Sequence, residues 1–184
     1  MGEPGVSDKE LVIGSCNVQS GPAEQLGLKQ TMGARAYLNS VNEKGGVHGR
    51  ILKLVAYDDK YEPEAAVLCF KKLVDEPVFT AAFFVGTPTA AKHAPMAEAN
   101  KLPIVGLFTG AQLLREPFKR YVVNVRASYY DETRVQIEHF WNDLGMRKIG
   151  VIYQDDAFGV AVLEGVKRAL QAHKAEPAAI GSFQ

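Results

Sequence analysis

Two apolar runs separated by one helical segment, Ala81–Val85 and Ile104–Phe108, set the strongest limit on how this chain can fold. Each passes at once into glycine and hydroxyl residues: Gly86-Thr87-Pro88-Thr89 after the first, Thr109-Gly110-Ala111 after the second. Short apolar runs bounded by turn residues and alternating with helical patterns predict buried strands of a parallel sheet. Such sheets bind ligands outside the carboxyl ends of their strands. Thr87, Thr89 and Thr109 therefore fall on neighbouring strand ends, where hydroxyls and the free N–H groups of a helix start suit a small anion. Threonines at such places also cap helices and satisfy turn backbone, and that alternative stands beside the first.

The same rhythm runs through the whole chain. Further strands are predicted at Leu11–Cys16, Arg50–Tyr57, Tyr121–Val125, Lys148–Tyr153 and Ala178–Phe183. The first helix ends near Asn42 with a stripe of Ala34, Tyr37, Leu38 and Val41, and Gly45-Gly46 closes it. The second starts at Pro63 and buries Ala66, Phe70, Leu73 and Val74. Helices follow over Thr89–Asn100, Asp131–Leu144 and Phe158–Ala172, and Pro95 predicts a kink in the first of these. Asp58-Asp59 has the look of a metal or acid–base pair, but accepting N–H groups near the next helix start is the simpler role. Repeated βα units define an α/β protein with parallel-sheet, three-layer lobes. An irregular joint at Arg115–Arg120 divides it into a first lobe over residues 8–123 and the start of a second over residues 124–184.

Composition narrows the function. The 184 residues carry 21 basic and 21 acidic side chains with no Lys/Arg run, which argues against nucleic acid or a membrane surface as partner. No apolar segment approaches the roughly 18 residues of a membrane span. The start, MGEPGVSDKE, lacks a signal-peptide pattern, so either the protein is cytosolic or a leader has been removed. Cys16 and Cys69 are expected as small core hydrophobes. The four histidines lie far apart, and no Cys/His spacing points to zinc; no cofactor is expected. Dinucleotide, P-loop, nucleophile-elbow and zincin motifs are all missing, which disfavours an enzyme.

Taken together, the pieces resemble the type I solute-binding proteins of ABC transporters, in the leucine/isoleucine/valine-binding group. The resemblance rests on Ile13-Gly14, Ser20-Gly21-Pro22, Val41-Asn42, Gly45-Gly46-Val47-His48-Gly49 and Tyr57-Asp58-Asp59. It continues through Pro63, Val85-Gly86, Pro103, Val151-Ile152-Tyr153 and Asp156-Ala157-Phe158-Gly159. It implies two α/β lobes that close on a small-molecule ligand, an amino acid or another carboxylate, for delivery to a membrane permease from the periplasm. A sensory module of the same fold is the alternative. By the resemblance, Thr89 or Thr87 and Thr109 bind the ligand carboxylate, the Leu107 carbonyl takes its ammonium, and Phe158 packs on it from the second lobe. Tyr129 and Tyr130 are expected to join Phe158 in setting closure, or to pack the joint between lobes.

This sequence departs from the group at several places. Leu26 stands where leucine-binding members carry an aromatic residue, and Tyr61 replaces a cysteine of their disulfide, so no such bridge is expected. The resemblance covers about the first half of such a protein, as in a shortened or cleaved piece. The chain alone is therefore expected to self-associate through uncovered apolar faces.

Overall fold

The computed structural model describes residues 3–184. Five parallel strands form the first sheet in the order β2-β1-β3-β4-β5: β1 (Glu10–Asn17), β2 (Ile51–Asp58), β3 (Thr80–Ala82), β4 (Ile104–Val105) and β5 (Val122–Val123). Helices α1 (Glu24–Glu43), α2 (Pro63–Asp75) and α3 (Thr87–Asn100) connect its first four strands. A separate parallel pair, β6 (Gly150–Gln154) and β7 (Ala179–Phe183), carries α4 (Tyr129–Glu138) and α5 (Ala157–Gln171). Every pairing between these named strands is parallel, as βα repetition requires. The fold is thus α/β, with helices against the sheets.

Which side chains face inward differs in detail from the predicted stripes. Helix α1 buries Gly27, Thr31, Ala34 and Leu38, a four-three-four spacing of mostly small residues, while Tyr37 is exposed. Helix α2 buries Ala66, Cys69, Phe70 and Leu73, and Val74 turns outward. Helix α3 runs on through Pro95, whose ring lies on the exposed side. The predicted helix over 131–144 is α-helical only to Glu138 and then widens into a π-turn, His139–Asp143. The wider turn keeps the adjacent Phe140 and Trp141 both against the small core of Ile137, Val166, Ala169 and Leu170.

The cysteines require a correction. Both are buried in the first core, as expected, but they are bonded to each other as a disulfide. Helix α2 packs across β1 and brings the two Cα atoms to 6.0 Å, within bridging distance. The link joins residues 53 apart, and the loop-entropy account puts such a closure at about 4 kcal/mol.

His93 fills the centre of the same core. Its ring stacks on Phe70 at 5.7 Å and meets the edge of Phe84 at 4.7 Å. Neither ring nitrogen has a hydrogen-bond partner among the described residues. Burial lowers its pKa to about 4, and the nearby Ala66 backbone opposes this only weakly, from outside bonding geometry. An unfolded histidine titrates near 6.5, so between these values the unfolded chain binds more protons than the folded one. This contribution is fully present above about pH 6.5 and is lost, by up to about 3 kcal/mol, as pH falls toward 4. Urea unfolding across that range is expected to give a steeper acid loss for the native protein than for His93→Leu. Parallel pH profiles would remove His93 as the cause.

Candidate functional site

The site is built where the two central strands break. After Ala82 the chain takes a left-handed step at Phe83 (φ +64°), and after Val105 it does so at Gly106 (φ +69°). The Phe83 carbonyl accepts hydrogen bonds from Ser15 Oγ (3.2 Å) and Asn17 Nδ2 (3.4 Å), which anchors the step to β1. Parallel pairing then resumes at a Val85–Phe108 bridge. Because both strands break and re-pair together, the residues beyond the bridge emerge side by side. The Thr87 and Thr109 hydroxyls lie 2.7 Å apart.

Gly86 makes the turn into α3 possible. It sits at φ +110°, and a Cβ there would come within 2.7 Å of Thr89 Oγ1 and 2.9 Å of the Tyr61 ring. No side chain caps α3, so the Thr87 and Thr89 N–H groups remain among the free donors of its first turn.

Beside this helix start, Lys60 and Tyr61 form a turn with both residues left-handed, at φ +56° and +63°. The aspartates hold it: Asp58 Oδ1 accepts from the Lys60 N–H (2.9 Å) and Asp59 Oδ1 from the Tyr61 N–H (3.0 Å). Asp58 also accepts from Gln19 N–H and Ser20 Oγ. Burial alone would raise its pKa, but these bonds outweigh it and the net shift is downward. Asp59 is fully buried with one oxygen unpartnered. Burial, aided by the charge of Asp58, pushes its pKa up to about 7 against the Tyr61 N–H bond. The pair thus shapes a turn, and no group of three metal-binding side chains occurs among the described residues. The Tyr61 hydroxyl is pushed upward by burial and then by the Asp156 carboxylate beside it.

Asp156 lies just beyond β6 of the second sheet. It caps α5 by accepting from the N–H groups of Phe158 (2.9 Å) and Gly159 (3.0 Å), the usual work of an N-cap aspartate. The chain reaches this side through residues 124–128, which the first lobe grips. Tyr129 N–H donates to the Gly110 carbonyl (2.8 Å), Asn124 Nδ2 to the Leu114 carbonyl (3.0 Å), and Arg115 to the carbonyls of Ala111 and Arg126. Gly110 has no room for a side chain, since a Cβ would lie 2.7 Å from the Ala127 carbonyl oxygen.

Between these parts lies a cleft of about 310 Å³. Ala23, Leu26, Tyr61, Val85, Gly86, Thr87 and Phe108 line it from the first sheet, Arg126 and Tyr129 from the crossing, and Gln154 and Phe158 from the second. Of the residues singled out in the sequence, Thr87, Tyr129 and Phe158 come together on its wall, with Thr109 directly behind Thr87. Thr89 turns away: its hydroxyl donates back to the Val85 carbonyl at 3.0 Å. The Leu107 side chain is in the core, and its carbonyl receives no hydrogen bond from the described residues. Tyr129 is itself buried and meets the edge of Phe158, ring centroids 5.5 Å apart. It both packs the joint and lines the cleft.

Sequence reasoning did not select Arg126, Gln154 or Phe108. Arg126 pairs with Glu132 through Nε–Oε1 (2.7 Å) and Nη2–Oε2 (2.9 Å), and its guanidinium carbon lies 5.2 Å from the ring centroids of both Phe108 and Tyr129. An arginine six residues before a glutamate, across a Ser128 helix cap, was the available signal.

A cleft at the carboxyl ends of parallel strands, beside a segment that crosses to a second α/β unit, is where folds of this class place a small-molecule site. The chain belongs to the periplasmic binding protein family, whose pattern matches residues 10–184, in its leucine/isoleucine/valine-binding group. It is 23% identical over 166 residues to the Leu/Ile/Val-binding protein of Escherichia coli K12, covering 89% of this chain and 43% of that protein. A possible leucine/isoleucine/valine-binding protein from Rhodopirellula baltica superimposes with a TM-score of 0.89 at 32% identity, over 96% of this chain and 48% of that one. An ABC-transporter solute-binding protein from R. palustris in complex with benzoate shares the fold, with a TM-score of 0.84 at 21% identity over 95% and 48% of the two chains. The chain spans less than half the length of each of these relatives, and its fold is correspondingly about half of a two-lobe protein.

If the hydroxyl pair receives an anionic group, Thr87→Val removes a bond to charge worth about 1.5–3 kcal/mol. Binding measured by calorimetry is then expected to weaken about tenfold to hundredfold. Thr109→Val should cost less, because Thr109 stands behind Thr87 and outside the cleft lining. Unchanged affinity in a folded Thr87→Val protein would take the pair out of the site.

Proposed function

We propose that this chain carries the first lobe and part of the second of a solute-binding component of an ABC transporter, which holds a small carboxylate between its lobes. One observation carries this reading: the Thr87–Thr109 hydroxyl pair stands at the start of an uncapped helix, across a cleft from Phe158. Hydroxyl donors and free N–H groups at a helix start favour a carboxylate. Relatives named for leucine, isoleucine and valine and one bound to benzoate have that group in common. An amino acid is the first ligand class to test, with the open Leu107 carbonyl as acceptor for its ammonium. Thr89 contributes through its backbone N–H in this reading, because its hydroxyl is already used. The protein works without chemistry on the ligand, in the periplasm, and delivers to a membrane permease. No helix among the described residues is long and apolar enough to cross a membrane.

Residues 8–123 and 124–184 act in this reading as two bodies, and closure moves one against the other. A ligand shifts that equilibrium only through contacts it makes preferentially in the closed form. Phe158 is half-buried, with its ring in the cleft, so Phe158→Ala should weaken binding while leaving the ligand-free melting temperature nearly unchanged. Loss of about 3–5 kcal/mol of stability in the ligand-free variant would mark Phe158 as core instead.

The 184 residues by themselves are proposed to self-associate. Register puts Ile152 and Phe183 on one face of the β6–β7 pair, where they are 81% and 54% exposed. Exposed apolar strands invite pairing. Light scattering on this chain should report a mass above the monomer, and a stable monomer would refute it.

A further inference from the structure

The cleft holds more than a place for a carboxylate. Four rings face it: Tyr61 and Phe108 from the first sheet, Tyr129 from the crossing and Phe158 from the second. Arg126 is the one side chain in the lining with a full charge. Its guanidinium is fixed on both sides, by Glu132 along the Nε–Nη2 edge and by the rings of Phe108 and Tyr129. An arginine has five N–H donors in a planar fork and can take a second carboxylate on its other edge. That edge, Nη1 with the remaining Nη2 hydrogen, makes no bond to the described residues. A fixed guanidinium loses little freedom on binding. Leu26 and Phe108, both in the cleft lining, are large apolar side chains about half exposed, so an apolar ligand group finds partners there.

We infer that the cleft selects ring-bearing carboxylates, with Arg126 as the specificity-determining contact. The free edge of Arg126 takes the carboxylate or shares it with Thr87, while the ring lies among Tyr61, Phe108 and Phe158. Glu132 acts as a positioning residue that keeps the guanidinium flat against Phe108 and Tyr129. This inference rests on the proposed reading of the cleft as a carboxylate site and adds the class of ligand to it.

Calorimetry on the full-length protein carrying this sequence, with benzoate, benzamide and leucine as probes, tests both statements separately. Benzoate is expected to bind at least tenfold more tightly than either leucine or the uncharged benzamide. Arg126→Gln should weaken benzoate about tenfold to hundredfold, leave benzamide unchanged, and keep the ligand-free melting temperature within a few degrees. Leucine binding more tightly than benzoate overturns the ring selectivity and leaves the carboxylate site standing. Benzoate binding that is indifferent to Arg126→Gln overturns the role of Arg126. An equal loss for benzoate and benzamide would mean that Arg126 only shapes the cleft. If neither leucine nor benzoate binds at millimolar concentration, the carboxylate reading falls together with this inference.

Discussion

The structure depends on a paired interruption of its two central strands. Left-handed steps at Phe83 and Gly106 stop β3 and β4 after three and two residues, and the Val85–Phe108 bridge then restores their pairing. A single step would throw the two strand ends out of register. Two steps keep them in register while turning both, and the Thr87 and Thr109 hydroxyls meet as a result. A left-handed conformation is unfavourable for phenylalanine. Hydrogen bonds from Ser15 and Asn17 to its carbonyl offset part of that cost, so β1 helps to shape a site that it does not line.

The fold was legible because hydrophobic period and turn chemistry agree along this chain. Every predicted strand and helix exists, with ends that move by a few residues. The interruption was not legible. Ala81–Val85 and Ile104–Phe108 read as unbroken strands, because nothing in a run of apolar residues marks Phe83 as left-handed. Register was equally hidden, and with it the Cys16–Cys69 bond. Each cysteine looked like core, and each is; only the packing of α2 across β1 makes them neighbours.

The site was half legible. Thr87, Tyr129 and Phe158 follow strand ends or begin helices, where sequence reasoning looks for binding groups. The different settings of Thr87 and Thr89 showed only in the helix itself, since a threonine three residues into a helix readily turns its hydroxyl back to the preceding turn, and Thr89 does so. Arg126 lies in a crossing segment without periodicity, and its place in the cleft follows from tertiary contacts alone. Asp59 and His93 illustrate opposite outcomes of burial. The carboxyl is driven toward its protonated form and the imidazole toward its neutral form, so both shifts remove charge from the interior.

The crossing segment has a mechanical consequence. The Tyr129–Gly110 backbone bond ties α4 to the first sheet's loop one residue away from Thr109, and a side chain at Gly110 would collide with the Ala127 carbonyl. For a rotation about that tie, displacement grows with distance from the fulcrum. Tyr129 and Arg126, close to it, would keep their places relative to Phe108, whereas the far end of the β6–β7 pair would sweep a wide arc. In the proposed reading such a lever has its short arm at the cleft and its long arm at the outer surface, so a small change in contacts within the cleft would become a large change in outer shape.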